Sequence, residues 1–428
     1  MNEKRFVQLT LLITFLGFIL RIFLLPSQPV ALDDFWVAIT AINYKESGQL
    51  GPTMWNHPEL RNIIVYWSMK LLGSGVWGIK GWSFLFGTLT VPLMALVGRR
   101  IFRNGTIALI AALFWALDPL AIDFSRQAIN DIYLAFFPLA AILCAYRFTD
   151  SRNPLWLIVA GVLFGFGLAS KWSALFQIIP TGMLLVHVLR SGRANRASFA
   201  GKMLFLFASL VILPVTIYLI TFFPWFGRGY SVAEWPALQK AMYRETKLHT
   251  GYQKTIVGDH KAYEWFILPV TYQDIFFNKQ EEGEARHVPT FEENAVILLV
   301  VTNPLVWLLV LPAVGRAAYR GIRERDEGLC YLSALFLLSY LPLAAVHRPI
   351  WVNTALAVLP YALMAVAWFV WDILRNISAR RRIVAVYLAV VVVLAVPQYV
   401  LVIGKGFSIP YVREYLMEKY SHDENPQR

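Results

Sequence analysis

The sequence predicts an all-α protein threaded through a membrane by about eleven helices, and three observations carry that expectation. Of its 428 residues, 57% are hydrophobic and only 15% charged, which lies outside the balance of an ordinary soluble domain. Apolar runs recur along nearly the whole chain, and a bilayer core about 30 Å thick needs about 20 such residues per helix. The basic residues behind the net charge of +12 gather at alternate connections between those runs.

Taken in order, the first run, 6–25, is long, contains Arg21 and lacks a small-x-small cleavage site. It therefore reads as a retained anchor rather than a signal peptide. A polar loop, 26–77, follows. Runs at 78–98, 106–122, 128–147, 155–170 and 174–189 are separated by short polar or Pro/Gly-marked connections. The run 203–223 leads into a second long loop, 224–293. Runs at 294–314, 329–345, 351–372 and 383–403 complete a single transmembrane domain, 1–403, ahead of a polar tail, 404–428.

Simple alternation of these spans collects Lys4 and Arg5, then Arg99, Arg100 and Arg103, then Arg147 and Arg152 on one side. Arg190, Arg193, Arg196 and Lys202, then Arg316, Arg320, Arg323 and Arg325, then Arg375, Arg380, Arg381 and Arg382 join them there. This is the positive-inside pattern, and it places the N-terminus in the cytoplasm of a multi-pass plasma (inner) membrane protein. Residues 26–77, 118–127, 171–173, 224–293, 346–350 and the tail then lie outside. Basic residues placed this way argue against a nucleic-acid partner. Cys144 and Cys330 fall in or near spans toward the cytoplasmic side and read as packing residues rather than a disulfide.

Ionisable groups are costly in hydrocarbon, so those at span ends and in outer loops mark candidate sites. Asp33 and Asp34, in Leu32-Asp33-Asp34-Phe35-Trp36, come directly after the first span, with Asn56-His57-Pro58-Glu59-Leu60 later in the same loop. Adjacent carboxylates repel, which suits a general base, a metal ligand or a hydrogen-bonding pair; a solvated helix cap is the alternative. Asp118, Asp123, Ser125-Arg126 and Asp131 surround the next outer turn. Arg126 has the geometry to hold a phosphate, or else to anchor at the interface or pair with a nearby Asp. Lys171-Trp172 and Arg348 pose the same choice between a phosphate ligand and ordinary interfacial residues. The long loop is rich in aromatics and carries His249, His260, Tyr263, Trp265, Pro269 and His287, which suits an ordered cap over a ligand. The spacing of its histidines matches no compact zinc pattern.

Together these clusters resemble the protein O-mannosyltransferase family, within the group of membrane glycosyltransferases termed GT-C. Asp33-Asp34 stands where the family has Asp-Glu, and His57-Pro58-Glu59-Leu60 answers its His-Pro-Pro-Leu with the second Pro replaced. Ser125-Arg126 with Asp131 is similar to its Ser-Arg…Leu-Asp segment, and Lys171-Trp172 to its Lys-Trp. His260, Tyr263 and Trp265 leading to Pro269 resemble its His-Pro-Tyr…Trp…Trp-Pro stretch, and Asn303-Pro304-Leu305-Val306-Trp307 its Asn-Pro…Trp. Tyr340-Leu341-Pro342 and Arg348 resemble the segment before its Tyr-His-Tyr, but that triplet reads Val352-Asn353-Thr354 here. The motifs share the family's order from about residue 32 to 361.

The resemblance implies a GT-C fold with its active site built from outer loops, in a prokaryotic-type enzyme without an additional lumenal domain. It implies transfer of mannose or another hexose, with inversion, from a polyprenyl-phosphate carrier in the lipid to an acceptor hydroxyl, Ser or Thr of a protein among the candidates. Asp33 would be the base and Asp34 would orient it or the acceptor; Arg126 would face the leaving phosphate, with Asp131, Lys171 and Arg348 as further substrate-binding residues. His57, His260 and Trp265 would shape the sugar or acceptor pocket, or fold the loop. No cofactor is demanded, a divalent cation being the alternative to protein cations. A lipid or polysaccharide acceptor on the same scaffold, or a lipid-linked sugar flippase, are the competing readings; a transporter would place its charges nearer span centres.

Overall fold

Backbone N–H and C=O groups in hydrocarbon find no water, so apolar spans must satisfy them internally, and the apolar runs of this chain fold as helices. The computed structural model describes residues 1–28, 30–47, 57–190, 196–248, 261–268, 271–277, 295–346 and 350–403. Among these, eight helices are long and apolar enough to cross a membrane, or up to nine when one bent pair is taken as a single span. Two shorter apolar helices, Pro154–Ser170 and Leu359–Ile373, occupy the remaining runs. Every apolar run thus contains a helix, but length and hydropathy alone do not reproduce a count of eleven.

The elements nearest the outer loops are α1 (Glu3–Ile22), α2 (Leu32–Ser47), α3 (Leu60–Leu72) and α4 (Val76–Phe102). They are followed by α5 (Gly105–Leu117), α6 (Pro119–Ser125), α7 (Asn130–Ser151), α8 (Pro154–Ser170) and α9 (Leu175–Arg190). The run 106–122 bends by 58° between α5 and α6. Pro119 lacks the N–H needed to continue the α5 ladder, and Asp118 caps the new helix by accepting from Ala121 N at 3.0 Å. The loop 26–77 holds two helices of its own, α2 and α3, which meet through Val37, Ala41, Val65 and Met69. That small apolar cluster closes on Ala128, in the turn between α6 and α7. It seats α2 and α3 on the bundle.

Two expectations need correction. The run 294–314 is not one helix: Ala295–Val301 is a strand, and the span begins at Pro304. Its sequence, AVILLVV, is rich in β-branched side chains, and an apolar run of that length is compatible with either state. The strand belongs to a three-stranded antiparallel sheet, β1 (Val30–Ala31), β2 (Thr271–Phe277) and β3 (Ala295–Val301), in the order β1-β2-β3. The helical bundle therefore carries a small sheet that ties the long loop to the segment just before α2. The run 351–372 is likewise shorter as a helix, because Val352–Ala357 forms a 3-10 turn ahead of Leu359–Ile373. In the long loop the described parts are a helix, Trp235–Leu248, a turn around Ala262–Glu264, and β2. The tail after 403 lies outside the described residues.

Close helix contacts rest on small residues, as in other membrane bundles. At Gly87 of α4 a Cβ would come within 1.9 Å of Ser125 Oγ, so α6 can lie against α4 only because that position is bare. This contact fixes where the chain turns at Arg126.

Candidate active site

The first turn of α2 presents both acids, where the positive end of the helix dipole favours them. They are held very differently. Asp34 is fully buried, and its Oδ2 accepts from Ala31 N at 2.9 Å and from Lys80 Nζ at 2.8 Å. Its Oδ1 accepts from Ala128 N at 2.6 Å. The bond back to Ala31 is the carboxylate half of a capping box, so a capping role holds for Asp34, buried rather than solvated. Lys80, near the start of α4, is itself buried, and the pair is an ion pair removed from water.

Asp33 keeps 45% of its side-chain surface accessible. Its charged partner among the described residues is Arg61 of α3, whose Nη1 lies 3.3 Å from Oδ1. The carboxyl is open on one side yet poorly solvated by the protein around it. That desolvation raises its pKa, Arg61 opposes the shift, and the nearby carboxylates of Asp34 and Asp131 reinforce it. An accessible carboxylate with an elevated proton affinity is what a general base requires.

Asp131 opens α7 and is also buried. Lys171, at the end of α8, donates to its Oδ1 at 2.7 Å, and Asn353 Nδ2 donates to Oδ2 at 3.0 Å. Lys171 donates as well to Thr354 Oγ1 at 3.3 Å. The divergent triplet Val352-Asn353-Thr354 thus closes over the Asp131–Lys171 pair. Trp172, beside it, donates from Nε1 to the Tyr218 hydroxyl at 2.9 Å.

Arg126 is fully buried, and its polar contacts run to the end of α1. Its Nη1 donates to the carbonyls of Arg21 at 2.9 Å and Phe23 at 2.8 Å, satisfying groups that a helix terminus leaves open. Nε and Nη2 have no partner among the described residues. The Asp123 carboxylate also acts on the guanidinium electrostatically. Trp265 is buried in the core beside Ala262, whose carbonyl accepts from the Tyr340 hydroxyl at 3.1 Å, so it packs the long loop down. His57 is half-buried ahead of α3. His260 and Arg348 lie outside the described residues, as do His249 and His287.

Two partners carry no motif in the sequence, Arg61 and Lys80, and Asn353 is marked there only as part of the divergent triplet. Lys80 had a signal, since a lysine inside an apolar run requires a counter-charge. Arg61 follows the Glu59-Leu60 pair directly but carries no pattern of its own. Glu59, standing where the family has Pro, is buried and accepts from the Tyr44 hydroxyl at 2.5 Å and from Asn62 Nδ2 at 3.2 Å. Burial pushes its carboxyl up to about 7 against those bonds and the pull of Arg61 and Arg228. Among the described residues, no three His, Cys, Asp or Glu side chains gather as a metal site.

The description "Dolichyl-phosphate-mannose-protein mannosyltransferase" matches residues 53–228. Over that part of its length the chain is similar to the protein O-mannosyltransferase family. It is 23% identical over 363 residues to the polyprenol-phosphate-mannose–protein mannosyltransferase of Mycolicibacterium smegmatis, covering 71% of this chain and 70% of that protein. In fold it is similar to the S. cerevisiae protein O-mannosyltransferase Pmt1-Pmt2 complex bound to the sugar donor. That match has TM-score 0.66 and 12% identity and covers 99% of this chain and 95% of the other. The Archaeoglobus fulgidus oligosaccharyltransferase in its apo form also aligns, with TM-score 0.55 and 13% identity, over 100% of this chain and 59% of that one. The GT-C architecture expected from the motifs is therefore the fold this chain shares with these neighbours.

Proposed function

We propose that this chain transfers a sugar, mannose by kinship with the named relatives, from a polyprenyl-phosphate carrier to an acceptor hydroxyl at the outer membrane face. The observation that carries the reading is the division between the two acids: Asp34 is saturated by Lys80 and two backbone N–H groups, while Asp33 stays partly accessible with one ionic partner among the described residues. In the proposed step Asp33 takes the proton of the acceptor hydroxyl as its oxygen bonds to the anomeric carbon. The bond from that carbon to the phosphate oxygen breaks, and the lipid phosphate leaves with the electron pair, inverting the centre.

The leaving phosphate gains charge, so a fixed cation lowers the barrier more than it strengthens donor binding. Arg126 is the first candidate because Nε and Nη2 have no partner among the described residues, and Lys171 the second because Asp131 already compensates its charge. Arg348 is a further candidate from the sequence. His57, His260 and Asp131 are assigned to shaping the substrate pocket, and Trp265 to holding the loop over it. Protein cations make a metal unnecessary in this reading; activity that survives a strong chelator supports it, and loss rescued by a divalent ion refutes it.

In this reading the chain lies in the plasma membrane with its N-terminus in the cytoplasm, an orientation that the distribution of its arginines and lysines supports. Asp33→Asn, still folded and membrane-inserted, should lose transfer by about a thousandfold or more. Near-normal turnover by that variant would remove Asp33 from the mechanism. The altered triplet at 352–354 keeps a lipid or polysaccharide acceptor in view, and comparing glycan products of cells with and without the protein separates these from protein.

A further inference from the structure

Resting on the reading of Asp33 as the base, the geometry points to a role for a residue outside the family motifs quoted above. We propose that Arg61 is a positioning residue of the transfer step, holding Asp33 ionised and aimed from a backbone anchor that both acids share.

That anchor is Ala128. Its N–H donates to Asp34 Oδ1 at 2.6 Å, and its carbonyl accepts from Arg61 Nη1 at 3.2 Å. The same Nη1 reaches Asp33 Oδ1 at 3.3 Å, and Nε donates to Asn62 Oδ1 at 3.3 Å. The guanidinium is thus gripped at both ends in a side chain only 4% exposed, and being planar it has one orientation that keeps all three contacts. Asp34 touches the 126–130 turn directly, whereas Asp33 touches it through Arg61. Movement of that turn, which also carries Arg126, therefore reaches both acids together.

The charge around Asp33 explains why such a residue is needed. The groups acting on it are Arg61 from α3, Asp34 from its own helix and Asp131 from α7. Asp34 has Lys80 and Asp131 has Lys171, each at 2.8 Å or closer, so those cations are committed. Arg61 is the group that offsets two neighbouring carboxylates at Asp33. Without it, a poorly solvated acid beside like charges keeps its proton, and a protonated carboxyl cannot accept another. The contact is long enough to leave the carboxylate free to take a proton from the acceptor.

The test uses the full chain purified in detergent, with polyprenyl-phosphate mannose as donor and acceptor from its own membranes. Turnover and donor KM of Arg61→Gln and Arg61→Lys are followed across pH. Arg61→Gln is expected to lower kcat about tenfold or more at neutral pH, with the acid limb of kcat/KM displaced upward and the loss shrinking as pH rises. Donor KM should stay within about twofold. Arg61→Lys keeps the charge but not the two-ended grip, so its acid limb should stay near that of the natural protein while kcat falls several-fold. Equal loss at every pH in Arg61→Gln, or a raised donor KM with kcat retained, overturns the proposal. Should Arg61→Gln fail to fold, Arg61→Lys decides: unchanged kcat overturns the positioning role and a several-fold fall with the limb unmoved upholds it. Asp33→Asn separates the two ideas, since full turnover there defeats the base itself, whereas an inactive Asp33→Asn with a pH-independent Arg61→Gln defeats only Arg61.

Discussion

At the end of the bundle predicted to face the cytoplasm, Asp372 is met by two arginines: Arg316 Nε lies 2.8 Å from one oxygen and Arg320 takes the other. Arg320 also pairs with Glu324, and Arg375 approaches the same glutamate at 3.9 Å. At the end predicted to face outward Asp33 has one ionic contact among the described residues, at 3.3 Å, and keeps 45% of its side chain accessible. Both regions hold carboxylates against arginines, but only one leaves a carboxylate oxygen open to an incoming group. Saturated ion pairs of the first kind tie helices together. An acid left partly unsatisfied beside saturated neighbours is the arrangement that can accept a proton and return to its starting state.

The largest effect that would sharpen this contrast is expected within the outer region itself. Lys80→Met leaves Asp34 buried without its cation, and breaking a buried pair from one side costs about 3–5 kcal/mol. Thermal unfolding in detergent should show that loss together with loss of transfer; a stable, active variant would mean that Asp34 is not held by charge. A smaller effect concerns Glu59. Its carboxyl is raised from 4.5 to about 7 in the folded chain, so the native state binds more protons than the unfolded chain between those values. Stability should therefore fall as pH rises through that window and level off above it. Glu59→Gln should flatten the dependence, read as the unfolding temperature across pH; an unaltered slope would assign it to other groups. The smallest change belongs to the opposite end. Arg316→Gln breaks a partly exposed contact with Asp372, which keeps Arg320, and should cost no more than about 1 kcal/mol with turnover unchanged. A marked fall in activity there would dissolve the distinction between the two regions.

The spans were legible because hydrocarbon imposes one backbone solution on a long apolar run. The same rule concealed β3, since Ala295–Val301 is as apolar as a span and passes directly into one. Asp33 and Asp34 stood out by their place after the first span and by the family pattern, yet nothing in two adjacent aspartates says which one is open. That distinction is made by Lys80 and Ala128, which reach Asp34 from elsewhere in the chain. Arg126 was legible as a cation at an outer turn but not as a buried clamp on the carbonyls of α1, because those acceptors are backbone and have no sequence signature. The triplet Val352-Asn353-Thr354 was visible as a departure from the family. Its position over Asp131 and Lys171 depends on how a 3-10 turn folds back across the bundle.

The sheet has a consequence for how this chain can change over evolutionary time. Val30 and Ala31 pair with Phe277 and Phe276, and β2 continues in register onto β3. Main-chain ladders are largely indifferent to which side chains they carry, so the identities of the β2 residues can change while the rung beside the acids stays in place. The long loop can thus be rewritten without unmooring the helix that begins with Leu32.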